Sequence, residues 1–167
     1  EIFDKCWELK AQRKDAVIYN QFEELGNYLW HYEVTANAIA ELFEKLRGAQ
    51  SKLNLAGFVS STGSAGTIAA GDYLKQKYSS VKIAATEALQ CPTLLYNGFG
   101  SHRIEGIGDK HVPWVHNVRN TDNVIAVDDE DTIAGIRLFN EPAGQKVLKD
   151  EGVSPKVLEY LLLLGIS

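Results

Sequence analysis

Short apolar runs in this sequence alternate with segments whose apolar residues recur at helical spacing, and this alternation most constrains the fold. The runs at residues 15–20, 55–60, 81–86 and 124–127 have the length and composition of buried strands. Because helical segments separate them, they predict βαβ units. We therefore expect an α/β fold in three layers, with a mainly parallel, twisted sheet and helices on both faces. In such sheets ligands bind beyond the carboxyl ends of the strands.

The helical segments are indicated by apolar stripes and by residues that favour helix ends. Gly48 follows one such stripe and predicts a C-terminal stop. Ser154 followed by Pro155 is typical of an N-cap with proline in the first turn. The predicted helices cover residues 2–12, 35–47, 67–78 and 129–139, with a last helix after Ser154.

The segment from residue 88 to 123 has no sustained period and is rich in Gly, His and Asn. A loop of this length inside a domain is usually functional or contains short elements. We divide the chain into a helix at residues 1–14, expected to be left over from a preceding region, and one partial domain at residues 15–167.

Composition limits the class of partner. The chain has 22 acidic and 17 basic residues and a formal net charge of −5, which argues against a nucleic-acid or anionic membrane surface. The longest apolar run, residues 161–164, is far too short to span a bilayer. Two cysteines, Cys6 and Cys91, cannot form a disulfide framework and indicate free thiols in a reducing compartment. We therefore expect a cytoplasmic protein that binds neither nucleic acid nor membrane.

The turn at residues 60–67 (SSTGSAGT) is the strongest local signal. It joins a predicted strand to a helix N-terminus and contains only small residues, so its backbone N–H groups can converge on an anion. It lacks the Gly-Lys-Ser/Thr ending of a P-loop and the G-x-G-x-x-G fingerprint of dinucleotide folds. The alternative is a tight turn with a Ser/Thr cap, and the sequence leaves both readings open.

Other candidate sites are weaker. Residues 102–108 (HRIEGIG) could bring glycine backbone close to a ligand, or form an ordinary surface loop. The acidic run at residues 128–131 is better explained as a helix N-cap than as a cation site. The four histidines show no ligand spacing, so we expect no metal. The sequence contains no G-x-S-x-G motif, so nothing indicates the nucleophilic serine of a hydrolase.

The order of several motifs carries a resemblance. Residues 20–22 (NQF), 31–35 (HYEVT), 63–67 (GSAGT), 91–92 (CP) and 102–108 (HRIEGIG) are similar to the stretches NQF, HYETT, GTGGT, SP and HKIQGIG. These stretches occur in this order in the cysteine synthase and cystathionine β-synthase family, the fold-type II pyridoxal-phosphate enzymes. The chain resembles the C-terminal portion of their large domain.

The resemblance implies roles for individual residues. The glycine-rich turn would hold the phosphate of pyridoxal 5'-phosphate, and Gln21 would help to bind the substrate carboxylate. Ser167 resembles the serine of the family's GIS motif, which hydrogen-bonds the pyridine nitrogen and so moderates the electron sink. The implied cofactor-binding residues are Gly63, Ser64, Ala65, Gly66, Thr67, Gly106, Ile107 and Ser167.

The resemblance also implies what is missing. In this family the Schiff-base lysine and the substrate-binding asparagine loop precede the NQF stretch. No lysine of this chain lies in a matching motif, so we assign no catalytic residue and expect the chain alone to be inactive. The first residue, Glu1, is not Met and lies in a predicted helix, so we expect a fragment of a longer enzyme.

Several departures from the family pattern bear on the reaction. Ser64 replaces a threonine, Ala65 a glycine and Ala88 a proline, and residues 141–163 are longer than the usual passage into GIS. The expected function is β-elimination or β-replacement on an amino acid such as O-acetylserine, in a homodimeric enzyme. The alternatives are another pyridoxal-phosphate lyase or synthase of this fold, and a lysine-less, non-catalytic binding module.

Overall fold

A computed structural model describes the backbone of residues 2–163 and the side chains of residues 2–160. Ser167 lies outside the described residues. The described part forms an α/β fold with one parallel sheet of three strands and helices on both sides, as predicted. The strands are β1 (Gly57–Ser61), β2 (Lys82–Ala88) and β3 (Asn123–Val127), in the order β1-β2-β3.

The helices are α1 to α8 in chain order. Within residues 2–163 the α-helices are Ile2–Gln12, Leu25–Trp30, Ala36–Ala49, Ala69–Lys77, Thr93–Tyr96, Asp129–Asn140, Pro142–Asp150 and Pro155–Leu163. A π-helical turn, His31–Thr35, joins α2 to α3, and a 3₁₀ turn, Val118–Asn120, precedes β3.

The register of the sheet places the ends of β1 and β2 side by side. Ser61 pairs with Thr86, and Thr86 pairs with Ile125 of β3. The core lies where α4 packs on β1 and β2, and its most deeply buried large side chains are Leu74, Ile83, Val81 and Cys91. The turn from β1 into α4 is therefore anchored at both ends.

One face of the sheet is only partly covered. The side chains of Val59, Ile125 and Val127 are 65%, 45% and 40% exposed, whereas Ser60 and Ala85 on the opposite face are buried. Parallel sheets are normally covered on both faces because both carry apolar side chains.

No helix within residues 2–163 is both long and apolar enough to cross a bilayer.

The predicted strand at residues 15–20 is wrong. Residues 16–20 pair with no strand in the described part of the chain, and Val17 and Tyr19 are 73% and 91% exposed. The run has strand-like composition, but a strand also needs a neighbour that accepts its hydrogen bonds. The other three predicted strands are confirmed, each displaced by one or two residues.

Two helical predictions need correction. The helix predicted at residues 35–47 begins ten residues earlier in α2, and Gly48 lies inside α3 rather than ending it. The long segment at residues 141–163 consists of α7 and α8, which pack on each other and on α6. The predicted helices at 2–12, 67–78 and 129–139, and the start at Pro155, are confirmed within two residues.

Candidate phosphate-binding site

Residues 62–68 form the turn from β1 into α4. The sheet ladder continues one residue past β1, since the Thr62 N–H donates to the Thr86 carbonyl at 3.1 Å. The hydrogen bonds of α4 begin at Ala69, whose N–H donates to the Gly66 carbonyl at 3.1 Å. Between them, the backbone N–H groups of residues 63–68 find no acceptor among the described residues. This leaves six consecutive donors at a helix N-terminus, where the helix dipole also favours an anion.

The backbone of this turn is bent by Ala65. Ala65 has a φ of 62°, in the left-handed region, although it is not glycine, and it is almost completely buried. Left-handed residues next to right-handed ones are a recurring feature of backbone anion sites, because they turn successive N–H groups toward one side. Ala65 thus bends the chain in the middle of the six unbonded donors.

The hydroxyl groups of the turn have different roles. The Thr67 hydroxyl lies 2.8 Å from the Ser60 hydroxyl and donates to the Ser61 carbonyl at 3.2 Å. It is therefore already hydrogen-bonded to the end of β1. The Ser64 hydroxyl accepts a hydrogen bond from Asn27 Nδ2 at 3.2 Å. Because a hydroxyl has one proton and two lone pairs, Ser64 can still donate to a ligand.

The second predicted segment lies against the first. A Cβ atom on Gly63 would be 3.3 Å from both the Gly106 carbonyl oxygen and the Ile107 Cα. Gly106 and Gly108 both have a φ of +79°, a conformation that glycine adopts without strain. The structure therefore brings the two glycine-containing segments into contact, although about 40 residues separate them in sequence.

A cleft of about 570 Å³ adjoins the second segment at Gly108. Five aromatic and six polar or charged side chains line it. The aromatic residues are Phe3, Trp7, Phe22, Phe99 and Trp114, and the polar or charged ones are Asp4, Asn20, Glu23, Asp109, Lys110 and His111. The cleft therefore offers both apolar surface and hydrogen-bonding groups to a small molecule.

Gln21 lies in the turn before α2 and is exposed. Its neighbours Asn20 and Phe22 line the cleft, whereas Gln21 does not. Its role toward a substrate carboxylate stays a prediction. The same holds for the cofactor roles of the two glycine segments.

Buried polar groups lie next to the turn. Thr62, Glu87 and His116 are each no more than 7% exposed and help to line a small cavity of about 10 Å³, roughly the room needed by one water. Thr62 Oγ1 and His116 Nδ1 have no partner among the described residues. Burial lowers the pKa of His116, so its ring is neutral near neutral pH. Thr62 and Gly63 of the turn thus share a small cavity with a neutral His116 ring, which adds no positive charge next to the turn.

The acidic run at residues 128–131 behaves as predicted. The Asp128 side chain accepts a hydrogen bond from the Glu130 N–H at 2.8 Å and so caps α6. Asp129 is buried and accepts from the Arg103 N–H, which links α6 to the second glycine segment. Among residues 2–163, no group of three His, Cys, Asp or Glu residues has metal-site geometry.

Asn27 and Glu87 contribute to the site region but were not predicted from the sequence. Asn27 lies in the first turn of α2, outside every helix and strand predicted from the sequence. Glu87 is the last residue but one of β2, and its position directly after the predicted strand at residues 81–86 was an available signal.

Individual known proteins match the chain, although no protein-family model does. Over 131 residues it is 35% identical to cysteine synthase B of Campylobacter jejuni, an alignment that covers 78% of this chain and 41% of that relative.

Solved structures agree. A hydrogen sulfide-producing enzyme from Fusobacterium nucleatum superposes with a TM-score of 0.71 at 34% identity, covering 78% of this chain and 38% of that one. An O-acetylserine-dependent cystathionine β-synthase from Helicobacter pylori superposes with a TM-score of 0.69 at 26% identity, covering 81% and 42%. The chain thus spans about two fifths of the length of these proteins.

Proposed function

The chain belongs to the cysteine synthase and cystathionine β-synthase family, and from this premise we propose that it forms the phosphate-binding part of a pyridoxal-phosphate enzyme. The whole enzyme would carry out β-elimination or β-replacement on an amino acid such as O-acetylserine. The supporting observation is the row of free backbone donors at residues 63–68.

The donor set suits a phosphate monoester. Its oxygens only accept hydrogen bonds from the protein when the group is ionised, and the turn offers N–H groups together with the Ser64 hydroxyl. No charge is needed from Lys or Arg, because the N-terminus of α4 supplies a partial positive charge. A loop without cations also fits a protein with a net charge of −5.

The contact between Gly63 and residues 106–107 extends the proposed site. Gly106 and Ile107 would line the cofactor where it leaves the phosphate turn. The cleft next to Gly108 would receive the amino acid, and its aromatic side chains would help to exclude water. Gln21, between the lining residues Asn20 and Phe22, would help to bind the substrate carboxylate. Ser167 would bond the pyridine nitrogen. The bound cofactor supplies the electron sink that stabilises a carbanion at Cα of the substrate.

The proposal can be tested by binding alone. Pyridoxine 5'-phosphate carries an alcohol in place of the aldehyde and cannot react with lysine, so its affinity reports the site without covalent attachment. We expect saturable quenching of tryptophan fluorescence, since Trp114 lines the cleft. Pyridoxine, which lacks the phosphate, should bind at least about tenfold more weakly. Equal affinities for the two compounds would contradict a phosphate site.

The similarity to a hydrogen sulfide-producing enzyme favours a second candidate reaction, β-elimination of sulfide from cysteine. Cysteine synthesis joins sulfide to O-acetylserine and releases acetate. The second reaction breaks the carbon–sulfur bond of cysteine and releases sulfide, and water converts the remainder to pyruvate and ammonia. Assays of the enzyme with O-acetylserine plus sulfide, and with cysteine alone, separate the two by their products.

We also propose that the enzyme is a cytoplasmic homodimer. Free Cys91 is completely buried and free Cys6 half-buried, as expected of a protein in a reducing compartment. Sedimentation equilibrium of the enzyme with pyridoxal phosphate would give the mass of a dimer. A monomer under those conditions would contradict the proposed homodimer. It would not bear on the phosphate site, which the titration with pyridoxine 5'-phosphate tests separately.

A further inference from the structure

We infer that Asn27 is a positioning residue for the phosphate turn, holding the bend at Ala65 and directing the Ser64 hydroxyl proton toward the anion. The inference rests on the proposed function, since it concerns how this turn recognises a phosphate. It depends on the contacts of one side chain with the residues on both sides of Ala65.

Asn27 reaches the turn from a different part of the chain. Its Nδ2 donates to the Ser64 hydroxyl at 3.2 Å, across 37 positions of sequence. Its amide also lies flat against Gly66, where a Cβ atom would be 2.5 Å from Nδ2 and 2.7 Å from Oδ1. The same amide group therefore contacts residue 64 and residue 66, one on each side of the bend.

The bend needs such support. Alanine at a φ of 62° is strained relative to the right-handed conformation. Strained residues persist only where neighbouring structure holds them. Ala65 is 1% exposed within the core cluster, and Asn27 packs over the turn from the α2 side. The turn is thus held from both sides.

The direction of the hydrogen bond decides what Ser64 can do. Because Asn27 donates, it uses a lone pair of the Ser64 oxygen and leaves the hydroxyl proton for another acceptor. An ionised carboxylate at position 27 can only accept, so it would take that proton and turn Ser64 away from a phosphate. Asn27→Asp changes this direction with almost no change in shape.

The experiment is a double-mutant cycle on the protein, titrated with pyridoxine 5'-phosphate. We expect Asn27→Ala and Ser64→Ala each to weaken binding by about tenfold, and the double variant to weaken it by clearly less than the roughly hundredfold that independent effects would give. Asn37→Ala is the matched control, because Asn37 also bonds two groups, the Glu33 carbonyl at 2.6 Å and the Tyr73 hydroxyl at 2.6 Å, but lies away from the turn. It should leave the affinity unchanged.

Asn27→Asp tests the direction of the hydrogen bond through the pH dependence of binding. If Asn27 were only a structural support, the affinity of this variant relative to the wild type would not depend on pH. Its affinity, taken as a ratio to the wild type at each pH, should be lowest near pH 7 and recover toward pH 4, where a protonated carboxyl can donate as the amide does. Full additivity in the cycle, or a ratio independent of pH, would overturn the inference. If the wild type fails to distinguish pyridoxine 5'-phosphate from pyridoxine, the proposed function itself is wrong and the inference falls with it.

Discussion

The Glu87 carboxylate accepts a hydrogen bond from the backbone N–H of Leu95 at 2.8 Å and another from that of Leu94 at 2.9 Å. Glu87 is the last residue but one of β2 and is 4% exposed, so this pair of bonds ties the sheet to α5 next to Thr62 and Gly63 of the phosphate turn. A buried carboxylate is retained here because two backbone donors satisfy it.

Replacing Glu87 should therefore lower stability. Glu87→Ala leaves two N–H groups without an acceptor in a partly buried place, and we expect a loss of about 2–3 kcal/mol in the free energy of unfolding. Glu87→Gln keeps one carbonyl oxygen and should lose about half as much. Urea unfolding followed by circular dichroism measures both. A Glu87→Ala variant as stable as the wild type would contradict the structural role.

The two left-handed glycines of the second segment allow a matched comparison. A Cβ atom on Gly106 meets nothing within 4 Å, so Gly106→Ala should cost only the backbone strain, about 1 kcal/mol. A Cβ atom on Gly108 would overlap the His102 ring, so Gly108→Ala should cost about 2–4 kcal/mol.

The overlap can be removed in a second step. In the His102→Ala background, Gly108→Ala should cost no more than Gly106→Ala, because the ring is gone. Differential scanning calorimetry of the four variants gives the comparison. If Gly108→Ala is equally costly with and without His102, contact with the ring is not its cause.

These glycines illustrate what the sequence could predict. Both segments were recognised because small residues are visible as a pattern, and the strands because apolar runs are local. The contact between Gly63 and Ile107 was implied only through the family resemblance, since local patterns do not report which loops meet.

Three features lay beyond local patterns. Residues 15–20 have strand composition, yet whether a strand forms depends on a partner elsewhere in the chain. Asn27 lies 37 residues from Ser64, and no spacing rule connects an amide in one helix with a turn before another. The partly exposed face carrying Val59 and Ile125 was also unexpected, because a parallel sheet predicts cover on both faces.

The hydroxyls of the turn should separate binding from stability. Ser64→Ala removes a donor to the ligand and should weaken pyridoxine 5'-phosphate binding about tenfold with little change in stability. Thr67→Ala removes the bond with Ser60 and should lower stability by about 1 kcal/mol, with a smaller effect on binding because the Thr67 N–H remains. Thr67→Ser is the control. Calorimetric titration and thermal unfolding of each variant would detect the reverse pattern, which would contradict these assignments.

Acid stability should depend on Asp122. Its carboxylate accepts hydrogen bonds from Lys75 Nζ at 2.7 Å and from the Ile83 N–H at 2.8 Å. These bonds lower the pKa of Asp122 from 3.8 to about 2, and the bond from Lys75 has the larger effect. A carboxyl with a lowered folded-state pKa contributes stability that is complete above pH 3.8 and is lost as the pH falls toward 2.

We therefore expect the free energy of unfolding to fall between pH 4 and pH 2 in the wild type and to change less over this interval in Asp122→Asn. Asp122→Asn should also be less stable than the wild type near neutral pH, since it loses the charged acceptor for Lys75. Asp150→Asn is the control, because Asp150 pairs with Lys146 at an exposed helical position where ion pairs contribute little. Urea unfolding at half-unit pH steps provides the measurement, and parallel curves for the wild type and Asp122→Asn would show that the Lys75–Asp122 bond does not govern acid stability.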